Sequence, residues 1–155
     1  MSQLRSFILA IELATRQRDE LARALARAEK TLQFAQNQMH QLEGYAAETD
    51  ARWLRPTEEG RTTELLRHHY QFMGRLQQAI GLQSGVMSGS GQQVEKAKQL
   101  LLQAEGRLAG LNQVLKIRQA DLLLIEARRE QRQTDEFAAM QHARNQLTSR
   151  TGENP

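Results

Sequence analysis

The chain has 155 residues, 25% charged and 5% aromatic, with two prolines and no cysteine; this composition favours helix over sheet and excludes disulfides, thiolate metal sites and cysteine nucleophiles. Lys and Arg number 21 against 18 Asp and Glu, for a formal charge of +3, and the acids are threaded between the bases rather than cleared from one stripe. That dilution argues against a phosphate-tracking protein. The early charges Arg5, Glu12, Arg16 and Arg18 leave no room for a signal-peptide core, and no apolar run approaches the ~20 residues of a membrane span. The expected protein is soluble, cytoplasmic and all-helical.

The first predicted helix covers about residues 3–53. Alternating steps of three and four from Leu4 reach Phe7, Ile11 and Ala14, pass Arg18, and continue through Leu21, Leu25, Ala28, Leu32, Ala35, Met39, Leu42, Ala46 and Thr49 to Trp53. So narrow a stripe is a coiled-coil seam rather than the broad face of a globular helix. At 1.5 Å per residue this helix is about 75 Å long, and it needs a partner along its stripe.

A turn is expected at 54–62, where Pro56 cannot continue a helix, Gly60 relaxes the backbone, and Thr62 or Thr63 caps the next helix. The second predicted helix covers about 63–147, with a terminal tail at 148–155. Its row runs from Leu65 through His69, Phe72, Leu76, Ala79 and Gln83 to Val86, Ser90 and Val94, and on through Leu108 to Arg118, Leu122 and Ile125. Around Ser90 the steps go four and four, which reads as a stutter beside Gly81, Gly85, Gly89 and Gly91. Because the apolar rhythm resumes without a proline, a soft point is favoured over a break.

A short turn between long helices makes them antiparallel neighbours. Folding about residue 60 places Gln38 near Leu82, Tyr45 near Arg75, and the N-terminus near Arg118. The predicted fold is therefore all-α: a single coiled-coil domain over 1–155, built as a two-helix antiparallel hairpin with a C-terminal helical overhang. The overhang carries Leu122, Leu123, Leu124, Ile125, Phe137 and Met140 without a partner in the hairpin, which suggests an external one.

Signatures of catalysis fail in turn. The segment around Gly85–Gly91 lacks the Lys and the preceding strand of a phosphate loop. His68 and His69 are neighbours that diverge by about 100° on a helix, and His40 and His142 stand alone. Glu58/Glu59 and Asp135/Glu136 have no cleft to perturb them. No enzyme, cofactor or metal is expected. What remains is surface: Gln38, Leu42, Tyr45 and Thr49 form one strip, and Phe72, Leu76, Ala79 and Gln83 form another on the facing helix. Seam packing alone accounts well for Leu42 and Leu76. Tyr45 is one position off the seam residue Ala46, so its ring can stand at the edge and meet a partner.

These residues carry a resemblance. The N-terminal heptads, Q-M-x-Q-L-x-x-Y at Gln38 to Tyr45, F-x-x-x-L-x-x-A-I at Phe72 to Ile80, and E-x-R-x-x-Q-x-x-x-D-E-F-A from Glu126 to Ala138 resemble the flagellar FliJ family over essentially the whole chain. The resemblance implies an antiparallel coiled coil similar to the rotor stalk of rotary ATP synthases. It implies a non-enzymatic component of type III flagellar export, cytoplasmic and peripheral on the inner face of the membrane through the export apparatus. The implied partners are the hexameric export ATPase (FliI), the cytoplasmic region of the export gate (FlhA) and export chaperones, with no nucleic acid and no membrane-spanning segment.

In the family the gate-binding strip corresponds to Gln38, Leu42, Tyr45, Phe72, Leu76 and Ala79. Thr49 departs where an aromatic is usual in enteric relatives, and Gln83 where a histidine is found. By the rotor-stalk analogy the overhang enters the ATPase ring, with Leu122, Ile125, Arg128, Arg129, Arg132 and Phe137 as its expected contacts; the alternative for this stretch is a frayed tail, or a helix folded back onto Leu4, Phe7 and Ile8. The alternative expectations are a generic coiled-coil scaffold and, further off, a basic nucleic-acid-binding helical protein.

Overall fold

The computed structural model describes residues 2–54 and 62–152. Pro56, Gly60 and the Glu58/Glu59 pair of the expected turn lie outside the described residues, as does the end of the tail at 153–155. Two helices account for the rest: α1 (Ser2–Leu54) and α2 (Thr63–Thr151), with no strand among the described residues. The chain divides into two units, one of Ala14–Arg107 and one combining Met1–Leu13 with Leu108–Pro155. Both helices run through both units.

In the Ala14–Arg107 unit the helices form an antiparallel hairpin. Trp53 stacks on His69 with ring centroids 4.2 Å apart, and further along the Gln83 side-chain amide reaches the Ala35 carbonyl at 2.8 Å. At the start of α2, Thr62 Oγ1 accepts from the Leu65 backbone N–H at 3.2 Å. That N-cap satisfies one of the donors every helix start leaves open.

The α1 stripe behaves as its spacing predicts. Each position of the row from Ala14 to Trp53 is buried or half-buried, while most of the intervening residues are exposed. Ala14 and Ala35 are almost fully enclosed, at 3% and 2% exposure. Arg18 keeps its place in the row by snorkelling: its aliphatic stem is half-covered and its guanidinium holds Asp19 at 2.8 Å. Arg23 and Arg27 both donate to Glu20, at 3.0 and 3.3 Å, and hold that exposed carboxyl below its ordinary range.

The α2 stripe departs from its expected path. Phe72 and Val86 are exposed, and the half-buried residues beside them are Met73 and Met87, with Ile80 half-buried between. The true row is His69, Met73, Leu76, Ile80, Gln83, Met87, Ser90, Val94, Ala97, Leu101 and Ala104, and it alternates steps of four and three without interruption. The stutter expected at Val86–Ser90–Val94 is therefore absent. The physical reason is local: adjacent apolar residues compete for the seam, and unbranched methionine fills an irregular gap beneath α1 more readily than a ring or a β-branched side chain. Helix α2 also passes through Gly81–Gly91 without a break.

A two-helix seam encloses little. Leu76 and Val94 are the large residues buried in this unit, at 8% and 7% exposure, and among the described residues no large side chain is fully enclosed. Burying a leucine contributes about 1.5–3 kcal/mol, so stability here is a sum over many half-covered positions rather than a dense core.

In the other unit, Leu108 is buried and Leu111 and Leu115 are half-buried against the start of α1, where Leu4, Phe7 and Ile11 are half-buried. Arg118 ends this packing. Its guanidinium lies 4.7 Å from the centre of the Phe7 ring, and Nη1 donates to Gln3 Oε1 at 3.0 Å. The N-terminus thus faces Arg118, as the folding point near residue 60 predicts. From Lys116 to the end of the described residues every residue of α2 is exposed. The helix does not turn back onto Leu4, Phe7 and Ile8. In its last turns Thr148, Ser149 and Thr151 return hydroxyl hydrogen bonds to carbonyls three or four residues earlier, and Gly152 N–H closes on the Thr148 carbonyl at 3.2 Å.

Candidate partner-binding surfaces

In the Ala14–Arg107 unit the seam shift has a consequence for the surface. Three adjacent pairs recur every seven residues on α2: Phe72–Met73, Ala79–Ile80 and Val86–Met87. In the first and third pairs the second member closes the seam and the first is turned by about 100° toward the edge, while Ala79 and Ile80 are both half-buried. Phe72 consequently stands 49% exposed. On α1 the same offset separates Tyr45 from the seam residue Ala46, and Tyr45 is 56% exposed. Both rings are held on rigid helices yet have most of one side free.

The strip residues divide by depth. Gln38, Tyr45 and Phe72 are exposed, Leu42 and Ala79 are half-buried, and Leu76 is in the core at 8% exposure. Leu76 supports the strip from beneath rather than offering area to a partner. Thr49 and Gln83 are half-buried. Gln83 ties the two helices together at this level, donating to the Ala35 carbonyl and, at 3.3 Å, to Gln38 Oε1. The Gln38 oxygen is thus engaged within the hairpin, and the residue itself is exposed. A single polar residue that bonds across an apolar seam also fixes helix register. At the end of the hairpin, Trp53 stacks on His69, and the His69 ring is tilted against Tyr70 at 5.9 Å. Trp53 thereby serves packing.

In the unit that holds the N-terminal residues, apolar groups are displayed on several sides. On α1, Ile8, Leu9 and Leu13 are exposed beside the half-buried seam. On α2 the run Leu122, Leu123, Leu124 and Ile125 is exposed at every position. Four consecutive residues on a helix point about 100° apart, so this run faces every direction. A shallow groove opens where the α1 packing stops, lined by Gln3, Leu4, Val114, Ile117, Arg118, Asp121 and Leu122. Further along, Phe137, Met140 and Leu147 are exposed, and Arg128, Arg129 and Arg132 occupy the polar stretch before them. Sequence reasoning named Leu122 to Ile125, Phe137, Met140 and the arginines but missed Leu9, Leu13, Val114 and Ile117. For Leu9 and Leu13 the signal is a start of α1 that is apolar on several sides, from Phe7 through Ile11 to Ala14.

Among the described residues no group of His, Asp and Glu is arranged to hold a metal, and no helix is long and apolar enough to cross a membrane. The surfaces are open strips rather than clefts, suited to recognising a macromolecule. A family model described as "Flagellar FliJ protein" matches residues 4–147. No individual curated protein matches the chain.

Proposed function

The chain belongs to the flagellar FliJ family, a non-enzymatic component of flagellar protein export, and from that premise we propose that it is a stalk and escort linking the export ATPase to the export gate. In this reading it acts in the cytoplasm, peripheral to the membrane through the export apparatus. The strip of Gln38, Leu42, Tyr45, Phe72 and Ala79, with Leu76 beneath it, receives the cytoplasmic region of FlhA. The α2 residues Leu122, Ile125, Arg128, Arg129, Arg132 and Phe137 receive the FliI hexamer. The same molecule escorts export chaperones.

The observation that carries this reading is the difference in kind between the two surfaces. The strip presents two rings on one face, the form of a site for one partner surface. Leu122 to Ile125 face all sides of their helix, and a single flat partner covers at most one or two of them. A partner that encircles the helix covers them all. A ring-shaped ATPase has that geometry, whereas a generic scaffold needs only a seam.

Tyr45→Ala and Phe72→Ala test the strip. Because both rings are about half exposed, truncation leaves the seam intact and helicity by circular dichroism nearly unchanged. Binding to the purified gate domain, read by calorimetry, should weaken by about 2 kcal/mol for each anchor. Unchanged affinity in both variants would leave the strip without its assigned partner and favour the scaffold.

A further inference from the structure

Neither helix carries charge along one shared stretch of the hairpin. No Asp, Glu, Lys or Arg occurs between Lys30 and Glu43 on α1, nor between Arg75 and Glu95 on α2. The Gln83 amide on the Ala35 carbonyl brings these two stretches side by side. Positions flanking a coiled-coil seam are ordinarily where Glu and Lys collect, keeping the surface solvated. Here the polar residues are amides, hydroxyls and His40, beside Ala79 and Val86, in a chain that is 25% charged. Depletion of charge, with aromatics retained, is the compositional mark of an interface core, because no ion has to be stripped of water when a partner arrives.

The belt also holds an aromatic that the gate-binding strip does not include. Phe34 precedes the seam residue Ala35 just as Tyr45 precedes Ala46, and it is 64% exposed. Residues 34, 38, 41 and 45 succeed one another at steps of four, three and four, so Phe34 stands on the face of Gln38 and Tyr45, about 16 Å from Tyr45 along the helix. On α2, Val86 follows Phe72 and Ala79 at intervals of seven and is 52% exposed. Val86 also lines a shallow groove with Ala28, Thr31, Gly89, Ser90 and Gln93, the first two from the turns just before Phe34. The bareness of Gly89, where an added Cβ would meet nothing within 4 Å, keeps that groove open.

We propose that the gate-docking face continues past Gln38 and Ala79 onto Phe34 and Val86, and that the gate surface covering it is apolar and uncharged. This rests on the reading of the Gln38–Ala79 strip as the gate site and extends it toward the middle of the hairpin. Phe34 supplies at one end of the face the aromatic that Thr49 does not supply at the other.

The test uses the full chain and the purified cytoplasmic domain of the gate, with helicity checked for each variant. Phe34→Ala and Val86→Glu should each weaken binding about tenfold or more, the second by placing an unpaired charge against an apolar partner. Gln36→Ala, in the same uncharged stretch but about 200° around α1 from Phe34, should bind like the parent. Parental affinity should change little between low and high salt, since no charge pair is screened. Parental binding by both Phe34→Ala and Val86→Glu, with Tyr45→Ala impaired, would overturn the extension and leave the strip standing. Parental binding by Tyr45→Ala as well would remove the gate reading beneath it. A steep loss of affinity with salt would overturn the uncharged partner.

Discussion

A chain lacking residues 119–155 should lose association with the export ATPase while keeping most of its affinity for the gate. The deletion removes Leu122 to Ile125, Phe137, Met140 and Leu147, all exposed, of which Leu122 also lines the groove beside Leu4. It also removes Arg128, Arg129 and Arg132, whose planar guanidiniums suit partly buried polar contacts with a partner. The packing that remains is little disturbed: Leu108 stays buried, Leu111 and Leu115 stay against α1, and Arg118 keeps its contacts with Phe7 and Gln3. Several anchors lost together amount to more than about 4 kcal/mol, a fall of a thousandfold or greater. Co-sedimentation with purified ATPase reads the outcome. Full affinity and full stimulation of ATP hydrolysis by the shortened chain would take the overhang out of the mechanism.

Replacing Gly81 and Gly85 with alanine should raise the stability of the hairpin by about 2 kcal/mol. Each glycine sits inside α2 with ordinary helical backbone, and an added Cβ would meet nothing within 4 Å. Packing is therefore unaffected, and the gain is the helix propensity of alanine over glycine, about 1 kcal/mol per site. The thermal midpoint of the double variant should rise by roughly 4–8 °C. A midpoint that falls would mean that the helix does not run continuously through these glycines in solution.

How much is legible in the sequence depends on how strongly each position is determined. On α1 the alternation of three and four runs unbroken from Leu4 to Trp53, so the seam reads correctly even where Phe34–Ala35 and Tyr45–Ala46 offer a second candidate. On α2, Phe72–Met73, Ala79–Ile80 and Val86–Met87 each offer two candidates. Sequence alone ranks phenylalanine or valine with methionine. Only the position of α1 decides between them: it selects Met73 and Met87, and half-covers both Ala79 and Ile80.

Taking the first member of each pair produces a stutter that the helix does not have. It also hides the regular second stripe of Phe72, Ala79 and Val86 on the face that a partner can reach. The rule that makes Tyr45 legible, a ring one residue from an alanine of the seam, applies equally to Phe34. Its force there becomes visible once the Gln83–Ala35 hydrogen bond joins the two uncharged stretches. The encircling apolar character of Leu122 to Ile125 is partly legible, because no heptad pattern absorbs four such residues in a row.

Simultaneous occupancy tests the central claim most directly. Analytical ultracentrifugation of the full chain with the ATPase and the gate domain, each at concentrations that saturate it alone, should give one species containing all three. The strip and the overhang share no residue, so filling one leaves the other available. Two mutually exclusive binary complexes, with the gate domain displacing the ATPase, would contradict a stalk that links them.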